Sequence, residues 1–350
     1  MKSPVLSILF LLISVTLLAV PNDFRFRHFS VEDGLSSNSV RAIMQDKYGF
    51  LWIGTEEGLN RYDGIMIKSY SICPQAAGKY ISSLYGTKKN IWIGTDEGIY
   101  IYAYATETFT YFDLTTPNNV RITSIVNHIL QDKDGNLWFS TNGQGLFRYN
   151  LSKNYLEQYE FTSAFGIVAS TMADSDNQIW ALTNQGESGV YKLNKAENKF
   201  EPFGLLYNAG NHHSQALAML EDSEQTLWLG TWECGLQKID KYTRQTTTYL
   251  HPTDGKGVTH IHSLMEYAPH QLLIGSDDGL LLFNTLTEEY KLFTENETVP
   301  NSLSNRFVYP IIKDREGGIW VGTNAGGINY LTPGTNWFNT FCYTPGKTSA

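Results

Sequence analysis

The chain repeats itself. Seven five-residue strings recur along it: LWIGT (51–55), IWIGT (91–95), LWFST (137–141), IWALT (179–183), LWLGT (227–231), LLIGS (272–276) and IWVGT (319–323). Their second residues are Trp52, Trp92, Trp138, Trp180, Trp228, Leu273 and Trp320, spaced by 40, 46, 42, 48, 45 and 47 residues. A unit of this size cannot bury its apolar face alone and must stack on its neighbours. Helical repeats of about 33–34 residues are too short for the interval, whereas a four-stranded propeller blade fits it. The expected fold is all-β: a single seven-bladed propeller of four-stranded antiparallel blades.

Each copy reads as four strands. A short apolar stretch precedes the Trp, as in Val40–Gln45, Val126–Gln131 and Val308–Lys313. About ten residues before the Trp stands a small residue in most copies: Ala42, Ser82, Ser170, Ala218, Ser263. A crowded central axis requires this of an inner strand. A turn follows, as in Asp46-Lys47-Tyr48-Gly49. Its Asp bonds backbone N–H groups two or three residues on, and its Gly accepts positive φ. The Trp strand ends in a hydroxyl in every copy, from Thr55 to Thr323, which is expected to find a backbone partner. The fourth strand alternates aromatics, as in Phe109–Leu114, Leu156–Phe161, Phe200–Leu205 and Tyr290–Glu295.

Eight such fourth strands accompany the seven units. Phe24–Ser30 precedes the first and Phe338–Tyr343 follows the last. The expectation is that Phe24–Ser30 pairs with the third strand of the last blade, near Gly327–Thr332, and closes the ring. That removes an exposed sheet edge and leaves Phe338–Tyr343 spare. The expected divisions are a signal peptide over 1–20, the propeller over 21–337, and a spare strand or linker toward a second propeller over 338–350. The apolar run Val5–Val20 behind Lys2 is short for a membrane span and suits an export signal. No helix is expected after it.

Composition narrows the function. At 42% hydrophobic and 17% charged the chain is globular,. A net charge of −9 without a basic cluster argues against nucleic acid and anionic membranes as partners,. Cys73, Cys234 and Cys342 show neither metal-ligand spacing nor a disulfide framework. No nucleophile elbow, P-loop or compact zinc motif is present, so no catalytic group, metal or cofactor is assigned.

Residues that recur in every unit belong to architecture. The Trp column reads as packing between blades. The acidic pairs Glu56-Glu57, Asp96-Glu97 and Asp277-Asp278 read as solvated turn residues, and His212, His213, His260 and His262 as loop histidines. Candidate ligand-binding residues are those that break the repeat on the face where inner strands begin: Arg41, Arg121, Trp232, His262, Asn305, Arg306 and Tyr309. Aromatics and planar polar groups together suit a carbohydrate.

The pattern D-x-x-G-x-[LI]-W-[IVL]-G-T-x-x-G-[LI] resembles the two-component regulator propeller repeat. The opening FRHFSVEDGLSSNSVRAIMQDKYGFLWIGTEEGLNRYDG (26–64) is similar to the start of periplasmic sensor regions in hybrid two-component regulators. Three copies depart from the pattern. Leu273 replaces a Trp, the second copy lacks the Asp-x-x-Gly turn, and Leu182 stands where Gly is usual. The resemblance implies a periplasmic, non-catalytic sensor of oligosaccharides from polysaccharide breakdown. It also implies a second propeller and a dimer partner in a longer protein. The chain carries one propeller without kinase or receiver motifs, and is expected to be a fragment or a truncated reading frame. Two further functions are open: an assembly scaffold whose ligand binds elsewhere, and a secreted propeller glycosidase or lyase.

Overall fold

The computed structural model describes residues 24–73, 78–161, 166–183, 189–205, 215–252, 257–299 and 301–332. Among them, 28 strands form seven antiparallel sheets of four. Residues Arg25–Pro333 form one compact unit. The inner strands of blades 1 to 7 are Val40–Gln45, Ile81–Gly86, Val126–Gln131, Val168–Ala173, Ala216–Glu221, Ile261–Ala268 and Val308–Lys313. Each packs against the inner strand of the next blade, and the seventh packs against the first. A 3-10 turn, Val31–Asp33, precedes the first inner strand. The segments 1–20 and Phe338–Tyr343 lie outside the described residues.

The ring closes as expected. Phe26–Phe29 pairs antiparallel with Ile328–Leu331, in register Phe26↔Leu331 to Phe29↔Ile328, and forms the outer strand of blade 7. The strand is shorter than the expected Phe24–Ser30 at its far end because Ser30 caps the 3-10 turn. Its N–H donates to Asp33 Oδ2 at 2.8 Å, and its Oγ accepts from the Glu32 N–H at 3.2 Å.

The seams between blades explain the repeated letters. Trp52 is 1% exposed and packs on Ile81, Ile91 and Ile93 of blade 2. Trp92, Trp138, Trp180 and Trp228 pack on the following blade in the same way, and Trp320 packs on blade 1. Two residues after the Trp the next inner strand comes closest. A Cβ on Gly54 would lie 2.5 Å from Ile81 Cγ2. Blade 4 has Leu182 at this position, and there the facing residue is Ala216 instead of Ile or Val. Both are fully buried in one cluster. The volume lost on one strand is returned on the other.

The hydroxyl column finds its backbone partners: Thr55 Oγ1 donates to the Gly58 carbonyl at 3.0 Å and Thr231 Oγ1 to that of Gly235 at 2.7 Å. The Asp turns hold more than the sequence suggested. Asp46 Oδ1 accepts the N–H groups of Tyr48 and Phe50, two and four residues on. Its Oδ2 accepts the indole N–H of Trp52 at 2.8 Å. Asp132–Trp138, Asp174–Trp180, Asp222–Trp228 and Asp314–Trp320 repeat that bond at 2.7–2.9 Å. Blade 2 has Thr87 in place of the Asp, and the buried Trp92 N–H has no partner among the described residues. Asn177 and Gln225 take up the positive φ that Gly supplies in the other Asp turns, at 59° and 62°.

Two stability outcomes follow. Trp138→Phe breaks a charge-assisted bond that Trp92→Phe does not, so it should cost about 1–2 kcal/mol more in denaturant unfolding. Leu182→Ala should cost roughly 2–5 kcal/mol by cavity formation, and Ala216→Val roughly 1–3 kcal/mol by overpacking. Because each repairs the other, the double variant should lose less than their sum by about 1 kcal/mol or more.

Candidate functional site at the channel mouth

The seven inner strands surround an axial cavity of about 370 Å³. Each begins with a β-bulge, marked by a break in register such as Val40↔Thr55 followed by Ala42↔Gly54. A bulge leaves a residue unpaired and re-aims its side chain. Around the ring the bulge residues are Arg41, Ser82, Asn127, Ala169, Leu217, His262 and Tyr309. The backbone device is sevenfold, but the chemistry is one-sided: the large planar groups fall together on blades 6, 7 and 1. Blade 2 shifts the expected small-residue column by one. Its turn is a residue shorter, so Ser82 is the bulge and Ser83 pairs with Gly94.

On that side the planar groups form a continuous stack. The Trp232 ring lies on His260, with centroids 3.7 Å apart at 27°. The His260 N–H donates to the Trp232 carbonyl at 3.0 Å, which holds His260 at a left-handed φ of 51°. His260 Nδ1 and His262 Nε2 both bond Asp277, the second at 2.8 Å. A carboxylate accepts, so both rings turn these N–H groups toward it. The His262 ring then stacks on Tyr309, at 4.3 Å and 16°. The Arg41 guanidinium lies 4.5 Å from the Tyr309 centroid on the way to blade 1. It is paired with Glu56 and donates to Asn324 Oδ1 at 2.9 Å.

Three groups of the mouth and channel wall are shifted by named causes. Burial holds the His262 imidazole below its ordinary value, against the opposing pull of Asp277. His262 is therefore neutral at neutral pH, and its Nδ1 is a hydrogen-bond acceptor. The bond from Arg41 holds the Glu56 carboxyl below the usual range. Deeper in the wall, His128 is part-open to the channel, yet its Nδ1 is enclosed and without a partner. Burial pushes its pKa down to about 4, opposed by a bond to the Thr171 backbone.

Arg41, Trp232, His262 and Tyr309 are thus brought together as candidate residues. The other three make their contacts elsewhere. Arg121 pairs with Asp113 at 2.7 Å. Arg306 is exposed and lies over the Phe307 ring at 4.7 Å. Asn305 accepts the Phe307 N–H at 3.1 Å and reaches Glu295 at 3.4 Å. His260 and Asp277 are the residues that sequence reading passed over. The sequence pattern makes one a loop histidine and the other a solvated turn acid, but Asp277 is bonded to two rings. The available signal was a His-x-His pair entering a strand, with an acidic turn after the next strand of the same blade.

A propeller with one chemically distinct arc on its mouth is a repeat scaffold whose individuality lies in that arc. Residues 34–57, 120–143 and 302–325 match the family model described as two component regulator propeller. The chain carries two-component regulator propeller repeats. Over 68 residues it is 46% identical to a protein named histidine kinase P4 of Formosa agariphila, a match covering 19% of this chain and 5% of that one. The extracellular domain of a hybrid two-component system of Bacteroides thetaiotaomicron superposes with a TM-score of 0.75 at 25% identity, over 88% of this chain and 42% of that one. The chain therefore spans less than half the length of these relatives. Virginiamycin B lyase of Staphylococcus aureus shares the fold, with a TM-score of 0.67 at 15% identity over 89% of this chain and 99% of that one. The propeller is homologous to extracellular domains of hybrid two-component systems.

His128 sets a pH signature for folding. Its ordinary value is 6.5 and its folded value about 4. Between those values the unfolded chain binds a proton that the folded chain refuses. Its contribution to stability is full above pH 6.5 and falls as pH drops toward 4. The melting temperature of His128→Gln, followed by circular dichroism, should fall less steeply across that window than that of the parent chain.

Proposed function

We propose that this propeller is the non-catalytic, ligand-sensing part of an exported two-component sensor, working in the periplasm, and that it takes an oligosaccharide at the channel mouth. The observation that carries the reading is the one-sided bulge ring. Seven equivalent backbone positions exist, and the large planar groups occupy three adjacent ones, extended by Trp232 and His260. Stacked rings with bonded edges suit a sugar, which offers a flat CH face and hydroxyls in one plane. A non-catalytic role is supported by how the mouth acids are used. A glycosidase needs one carboxylate free to protonate and a second to attack or activate water. Here Glu56 is held by Arg41, and Asp277 by two imidazoles.

The homologous Bacteroides domain is described as extracellular and as part of a hybrid two-component system. That description supports the location and the signalling role. In a longer sensor, a second propeller and a dimer partner would need contact surfaces. Ile65 and Met66, at 88% and 62% exposed beside the blade 1 hairpin, suit such a contact,.

The test is a thermal-shift screen of the chain against plant, host and microbial oligosaccharides. A ligand at a hundredfold excess over its Kd should stabilise the fold by about 2.7 kcal/mol. Asp277→Ala should abolish the shift, and should lower the unliganded stability by no more than about 1–3 kcal/mol, the cost expected for leaving imidazole N–H groups unpartnered. No shift with any glycan would sink the reading, as would release of a cleaved product.

A further inference from the structure

The stack has two different ends. At the Arg41 end the groups are occupied: the Tyr309 ring has both His262 and Arg41 against it, and Arg41 is held by Glu56 and Asn324. At the Trp232 end one indole face is covered by His260, and the edge of His262 approaches at 6.3 Å. Among the described residues no ring or cation lies over its other face, and the residue is part-exposed. Trp232 is the terminal platform of the stack.

The cations beside the stack are equally committed. Arg41 is paired with Glu56, and Lys79, at 8% exposed, with Glu97. Both histidines turn an N–H to Asp277. Asp278 accepts from the N–H and hydroxyl of Thr259 at 2.9 and 3.0 Å. Glu57 and Asp96, in the equivalent turns of blades 1 and 2, have no ion pair among the described residues. The exposed Arg306 lies over Phe307, outside the stack. A carboxylate or sulfate entering the mouth would face surplus negative charge and find no uncommitted cation in the stack. A buried anion without a partner is strongly disfavoured. Hydroxyls meet no such obstacle, and the acceptor Nδ1 of His262 suits one.

We infer that the ligand is a neutral oligosaccharide, one ring of which lies on the face of Trp232 turned away from His260. This rests on the reading that the channel mouth binds an oligosaccharide, and adds to it a charge class and a position.

The experiment is calorimetry of the full chain at low ionic strength, where charge effects are least screened. Two panels are compared: neutral arabino-, xylo- and manno-oligosaccharides, and uronate- or sulfate-bearing ones. Binding is expected from the neutral panel only. Trp232→Ala should weaken it by about tenfold or more, and Trp232→Phe, which keeps a ring, by only a few fold. Unliganded melts of both variants establish that they fold. Binding of the anionic panel in preference to the neutral one would overturn the charge class and leave the oligosaccharide reading standing. Neutral binding indifferent to Trp232→Ala would overturn the position. Silence from both panels would remove the inference together with the reading beneath it.

Discussion

Contact between one blade's second strand and the next blade's inner strand carries this fold. A single four-stranded sheet has an apolar face and no partner for it. The Trp supplies area at the seam, and the small residue two places on supplies closeness. The Asp turn fixes the indole by taking its N–H in a site where an unpaired polar group is costly. Every seam must bear the same load, since a ring with one weak seam opens there. That is why Leu182 and Ala216 are matched in size across their seam. Bonds between neighbouring turns cross several seams alike: the Arg315 guanidinium of blade 7 bonds the carbonyls of Asp46 and Lys47 in blade 1, and Lys133 of blade 3 bonds the Ser175 carbonyl of blade 4.

Uniform seams leave the inner strand ends free to differ. The bulge residues are outside the ladder register and outside the Trp contact, so neither packing nor backbone bonding dictates their type. Arg41 and Leu217 can hold equivalent places without disturbing any blade. Chemical individuality therefore gathers where architecture makes no demand. The turns after the second strands add the second layer, since Glu56, Asp277 and Asn324 lie within reach of the neighbouring bulge side chains.

The ring was readable because its constraint recurs seven times. Trp spacing, the small residue before the Trp, the hydroxyl column and the leading FRHF strand each follow from one geometry. The Asp–Trp bond was missed because each column already had a local explanation, the Asp as turn former and the Trp as packing. The bulges left no letter in the sequence, being breaks in pairing and not residue types. Site residues were legible only in part for a related reason. Loop neighbourhood places a residue on the right face without saying which way its side chain points. Arg121 and Arg306 share the mouth loops, but one is drawn to Asp113 and the other to Phe307.

Blade 6 shows how structure and recognition are traded. It has neither the Trp nor the Asp turn, and it contributes His260, His262 and Asp277. Leu273, fully buried, fills the seam without an N–H to satisfy. In place of the Asp turn the inner strand runs on to Ala268, the longest inner strand of the seven. It pairs with Gln271 across a two-residue connection in which His270 takes a φ of 64°. A longer hairpin compensates for the missing clamp. At its mouth end the same strand holds His262 in a bulge, and His260 stands just before it in a left-handed conformation. Departures from a local rule are expected to cluster where function asks for something the rule does not supply. Here the Trp itself is dispensed with in the blade that holds the middle of the stack, while the smaller departures of blades 2 and 4 lie outside it.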